Sequence, residues 1–214
     1  MVPAGASSKI GQLGEIDMWF QTSKKWDSSL ELAITFEVIN PGDGRNRRPY
    51  VAVFIEDPKG KPVRTVELWY QRGRGARWLR DSRTWYRGEV DRMNREGGDL
   101  ASTMSDPTRQ PGVYTVVWDG KNDAGKVVDQ GDYSINVEIA REHGTYQLIR
   151  KDLSLTTKPV KVDLLGNTEI KSATFEFRKK RKKSAASAQP ACAFGNSLDA
   201  HIYLSRYAGD CAVL

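Results

Sequence analysis

The chain has 214 residues, with 33 Lys plus Arg against 27 Asp plus Glu, a formal charge of +6 and a pI of about 9.3. The excess sits in one run, Arg178-Lys179-Lys180-Arg181-Lys182-Lys183; outside it 27 basic residues face 27 acidic ones, so net charge is no argument for a specific nucleic-acid protein. No apolar stretch nears the roughly 20 residues of a membrane span. Residues Met1 to Gly14 lack a basic-then-apolar leader, and the two cysteines, Cys192 and Cys211, lie too near the C-terminus to frame the body.

The body reads as strands. Leu30, Leu32, Ile34, Phe36 and Val38 alternate with more polar residues, the period of a strand with one buried face. Pro49 to Glu56 is apolar on both faces, as a central strand is, and Asp57-Pro58-Lys59-Gly60 turns it into Val63 to Tyr70, an antiparallel hairpin. The period then changes. Ala76 to Gly88 predicts a short amphipathic helix with Trp78, Leu79, Trp85 and Tyr86 on one face and Arg77, Arg80, Arg83 and Arg87 on another. Asp91 to Gly112 reads as a long polar loop. Strands resume at Val113 to Trp118, Asp132 to Ala140, Thr145 to Leu155 and Thr168 to Arg178.

Seven to nine strands and one short helix predict an all-β fold, an antiparallel sandwich. The expected organisation is a disordered N-terminus (1–14), the sandwich (15–178), a basic and Ala/Ser-rich linker (179–190) and a disordered C-terminal appendage (191–214).

Four stretches carry a family resemblance: PYVAVFIEDPKGKPVRTVELW from Pro49, RWLRDSRTWYR from Arg77, Trp118 to Lys126 closed by Gly131-Asp132-Tyr133, and Glu138 to Gly144 followed by Tyr146-Gln147-Leu148. In this order they resemble a domain-of-unknown-function family of predicted periplasmic proteins. The resemblance implies an immunoglobulin-like sandwich, export to the periplasm, and an accessory role near membrane-bound flavin or metal-reduction systems. The implied partner is a periplasmic or membrane protein.

Several clusters invite chemistry. From Arg64 to Arg95 there are nine arginines and no lysine, a choice suited to paired-donor recognition of phosphate or carboxylate oxygens and to stacking on Trp78, Trp85 and Tyr86. Arg141, Glu142 and His143, with Glu138, form a second surface; the bland reading is an Arg141–Glu142 ion pair at a strand end, with His143-Gly144 turning the chain. Asp119, Asn122 and Asp123 are oxygen-rich but spaced for a hairpin rather than a calcium loop.

Ser105-Asp106-Pro107-Thr108-Arg109 aligns with a family position that resembles a flavin-attachment motif, which makes FMN on Thr108 the alternative reading. Asp106 and Pro107 stand where the motif has small residues. No Gly-x-Ser-x-Gly elbow, nucleophilic body cysteine or phosphate-cradling loop is visible, so the expectation is a binding module rather than an enzyme, with no metal and no resident cofactor. The run at 178–183 has no interleaved aromatics for base stacking.

Overall fold

The computed structural model describes residues 24–40 and 48–181. The expected disordered N-terminus, most of the linker, the C-terminal appendage and both cysteines lie outside them.

Eight strands alternate with one helical insertion: β1 (Leu30–Val38), β2 (Tyr50–Glu56), β3 (Pro62–Trp69), a 3-10 segment (Gly73–Asp81), α1 (Arg83–Glu96), α2 (Leu100–Met104), β4 (Gly112–Trp118), β5 (Gly131–Ala140), β6 (Tyr146–Leu155), β7 (Val160–Leu165) and β8 (Ile170–Lys179). They form two antiparallel four-stranded sheets, ordered β4-β1-β8-β7 and β3-β2-β5-β6. The all-β expectation holds. β7 was not foreseen: it is short and follows Pro159, and its alternation of half-buried and exposed residues marks a strand with one neighbour.

The sheets share one core. Leu32, Ile34 and Phe36 of β1 and Phe175 and Phe177 of β8 meet Val51, Val53 and Ile55 of β2 and Ile135, Val137 and Ile139 of β5. Aromatic rings fill one end, with Trp118 centred 4.8 Å from Trp26 and 5.3 Å from Tyr133.

β2 is buried on both faces, as its sequence predicts. Its second face, Tyr50, Ala52 and Phe54, packs under Leu79 and Trp85, with Leu68 and Tyr70 alongside and Ala101 of α2 above. The helices therefore add a third layer on the outer face of one sheet.

The single helix expected at Ala76–Gly88 is two elements, and the expected loop from Asp91 is mostly helix. The 3-10 segment ends at Asp81, and after Ser82, the cap of both elements, α1 runs from Arg83 to Glu96. Gly88 reads as a stop, yet it lies mid-helix because a Cβ there would sit 2.8 Å from Pro62 Cγ: the glycine lets α1 lie close on β3. The stop is Gly97, at φ +73°, whose amide donates to the Met93 carbonyl at 2.9 Å. Only residues 105–111 remain as the connection to β4.

Candidate functional site

The helical layer is fastened by a carboxylate from the sheet. Glu138, fully buried on the outer face of β5, accepts from the Thr84 amide (2.8 Å), the Trp85 amide (2.8 Å) and the Tyr146 hydroxyl (2.7 Å). Two of the amides that the first turn of a helix leaves without intrahelical partners are met by one anion, which also complements the helix dipole. At the other end, Arg92 grips Glu89 at 2.7 Å through two nitrogens, and Glu89 accepts from the Leu100 amide at 2.9 Å, tying α2 to α1.

With the layer fixed, the arginines separate into two sets. Arg92 pairs with Glu89, Arg64 approaches Asp123 at 3.8 Å, Arg95 approaches Glu96 at 3.8 Å, and Arg72 donates to Ser105. Arg74, Arg77, Arg80, Arg83 and Arg87 are exposed and form no ion pair within 4 Å among the described residues; Arg87 acts on the Glu56 carboxylate at longer range. Instead, Arg77 lies over the Trp78 ring at 4.9 Å and Arg83 over the Tyr146 ring at 4.7 Å. Such stacking orients a guanidinium and leaves its donors available to an anion.

The two surfaces that look separate in sequence meet here. Trp78, half-buried, stands edge-on to His143 with centroids 4.3 Å apart. His143 occupies the β5–β6 turn at φ +54°, in the left-handed region that histidine tolerates better than most residues. Glu142, beside it, lines a groove of about 430 Å³ with Arg48, Tyr50, Gln71 and Thr108. Thr108 also borders a groove of about 400 Å³ with Tyr70, Arg72 and Ser105. Its carbonyl accepts from Arg48 at 3.3 Å. Asp106, two residues before it, pairs with Arg109 at 2.6 Å, a guanidinium that Glu67 shares at 2.9 Å.

Two of the predicted binding residues are turned inward. Trp85 is 3% exposed, and its indole donates to the Thr65 hydroxyl at 3.0 Å. Apolar burial under the helix takes it out of the surface cluster. Arg141 is buried and grips Glu169 at 2.8 Å and 2.9 Å, with a further bond to the Ile39 carbonyl at 3.0 Å. Glu169 is a partner that its distance in sequence hides. The Asp119–Gly125 stretch uses its side chains as a hairpin requires: Asp119, Asn122 and Asp123 accept from the Lys121, Lys126 and Thr65 amides.

Residues that sequence reading missed are Glu138 as the helix anchor, Tyr146 as the platform for Arg83, and Arg48, Tyr50 and Gln71 in the groove. One available signal was the double-sided burial of β2. Its neighbour β5 must then be covered on its polar face, so Ser134, Asn136 and Glu138 there need partners.

Glu56 extends that buried polar strip. It bonds Asn136 at 3.2 Å and Arg150 at 3.1 Å, and burial pushes its carboxyl pKa up despite both. A carboxyl raised in the folded state adds stability below its unfolded pKa and loses it as pH rises through the folded value. The wild type is therefore expected to lose stability relative to Glu56→Gln as pH rises from below about 4.5 to neutrality, read by urea denaturation. A constant difference across that range would refute the assignment.

These elements define a two-sheet β protein bearing a helical layer with a cationic, partly aromatic outer face. The chain belongs to the family described as "Predicted periplasmic protein (DUF2271)", which it matches over residues 31–172, and its place is the periplasm. No curated protein and no solved structure matches it. No helix among the described residues is long and apolar enough to cross a membrane.

Proposed function

We propose that this chain is a non-catalytic periplasmic binding module that docks through the arginine face of its helical layer onto an anionic partner surface. The observation that carries this is the set of five exposed arginines, Arg74 to Arg87, that form no ion pair within 4 Å among the described residues while four neighbours from the same stretch have close partners. The Trp78–His143 contact supports the reading by joining the β5–β6 turn to the same surface. The family resemblance adds a setting, beside membrane-bound flavin or metal-reduction systems. The test is retention on immobilised heparin, as a model polyanion, compared between wild type and the R77E/R80E/R83E variant.

We read the sandwich as immunoglobulin-like. The order β6-β5-β2-β3 corresponds to a G-F-C-C′ sheet, and the β1–β4 pair to strands B and E. β8 then occupies the position of strand A, but arrives from the C-terminal end of the fold.

A second reading, FMN carried on Thr108 through a phosphoester, is favoured by the position of Thr108 between two grooves. Intact mass after co-expression with a flavin transferase is expected to rise by one flavin mononucleotide unit under this reading. An unshifted mass removes it.

A further inference from the structure

Four strands lie at sheet edges: β3 and β6 in one sheet, β4 and β7 in the other. An edge strand presents a row of backbone donors and acceptors that another chain can pair with, and proteins guard such edges with charge or cover. Three of these four are guarded. β3 is covered: the Asp123 amide donates to the Val63 carbonyl, the Thr65 amide donates to the Asp123 carboxylate, and Leu68 and Tyr70 bond to the Asp106 backbone. β6 carries Arg150, Lys151 and Asp152, and β7 carries Lys161 and Asp163.

β4 has neither defence. Gly112 to Trp118 contains no charged side chain, and Val113, Thr115, Val116 and Val117 are β-branched, as suits strand pairing. Among the described residues its backbone bonds only to the β1 ladder. On the outer face of the sheet Val113 and Val117 are 65% and 46% exposed, with exposed Thr115 between them.

That outer row, Val-Thr-Val, reads the same in both directions. Two copies of β4 laid antiparallel about Thr115 put Val113 of one copy opposite Val117 of the other, and Thr115 opposite Thr115. This is the self-complementary patch that a two-fold dimer requires. The pairing also prolongs a row already present in the sheet. Thr174 stands opposite Thr35 and Thr35 opposite Thr115, with the last two hydroxyls 2.8 Å apart. Charge admits it as well. β4 brings none, and Glu31 and Glu37 on the adjacent β1 are bonded within each copy to Arg178 and Lys171 of β8. A foreign strand would use the same backbone groups but would have no need of the symmetry.

We propose that a second copy of this chain pairs antiparallel with the free edge of β4, joining two four-stranded sheets into one of eight strands across a two-fold axis at Thr115. A single strand pair lies at the small end of interface sizes, below about 1,200 Å², so the dimer is weak, with a Kd in the micromolar range or above. The edge belongs to the sheet that does not carry the helical layer, so the proposal is independent of the anion-binding reading.

The experiment is sedimentation equilibrium of the full chain over a wide range of protein concentration, under reducing conditions so that Cys192 and Cys211 cannot cross-link copies. Wild type is compared with V113K/V117K and V113K/V117E. Both positions are exposed, so neither variant removes a side chain from the core. V113K/V117K sets lysine against lysine in both symmetry-related pairs and is expected to raise the dimer Kd at least about 10-fold. V113K/V117E sets lysine against glutamate instead and is expected to stay within about 3-fold of wild type. Within one copy the two positions are about 13 Å apart along the strand, so pairing between copies is what separates the variants. Three results would overturn the proposal: a wild type that is monomeric at every concentration, association that V113K/V117K leaves unchanged, or an equal loss in both variants.

Discussion

Glu169→Ala is expected to lower the unfolding free energy by about 3–5 kcal/mol, the largest effect of any single substitution considered for this chain. Glu169 is fully buried and its carboxylate meets the Arg141 guanidinium through both oxygens, with the Thr145 hydroxyl on the same group. Its amide and that of Ile170 both donate to the Gln147 side chain at 3.0 Å, so the segment entering β8 is held to β6. Removing the carboxylate takes the Glu169 countercharge from a buried guanidinium that also donates to the Ile39 carbonyl. An exposed pair gives the contrast. Glu37→Ala breaks a bond to Lys171 at 3.1 Å between solvated groups and is expected to cost under about 1 kcal/mol. Urea denaturation of both variants reads the difference directly. Equal, small losses would show that the Arg141–Glu169 pair does not hold the two sheets together at that end.

Glu138→Ala is expected to release the helical layer. The carboxylate anchors two α1 amides and the Tyr146 hydroxyl at once, and alanine supplies no acceptor for any of them. Orphaning these donors costs about 3 kcal/mol, concentrated on the docking of α1 rather than spread over the sandwich. Hydrogen exchange should therefore show lost protection in α1 while β1, β5 and β8 stay protected. Because Arg83 and the Tyr146 ring it lies over belong to this junction, polyanion binding should weaken as well. Glu138→Gln keeps acceptors for part of the set and should fall between wild type and alanine. Uniform loss of protection across both sheets would instead make Glu138 a residue of the global core.

The fold was largely readable from period. β1 begins and ends where its alternation does, and the two-sided apolar pattern of β2 announced cover on both faces. The misreadings have local causes. Gly88 looked like a helix end because the contact that requires it, with Pro62, lies far away in sequence. The last turns of the helix, Asp91 to Glu96, then passed as loop because the polar Glu89 and Arg92 face inward as a pair and blur the amphipathic pattern. The site was readable in composition but not in geometry. The arginine excess between Arg64 and Arg95 pointed to the surface, but the partners of Arg64 and Arg72, Asp123 and Ser105, come near only on folding. The same holds for Trp78 and His143, 65 positions apart and in ring contact. Arg141 shows the converse: a charged side chain beside Glu142 and His143 reads as surface until Glu169 arrives from the far end of the domain.

The central claim is that the arginines on the helical layer bind anions. The most direct test is the dependence of heparin affinity on salt for wild type and R77E/R80E/R83E. If each of the three arginines displaces a counterion on binding, the reversal moves elution to lower salt and reduces the log–log slope by about 3. Unchanged elution and slope would place all of the polyanion affinity in the run at 178–183 and contradict the account.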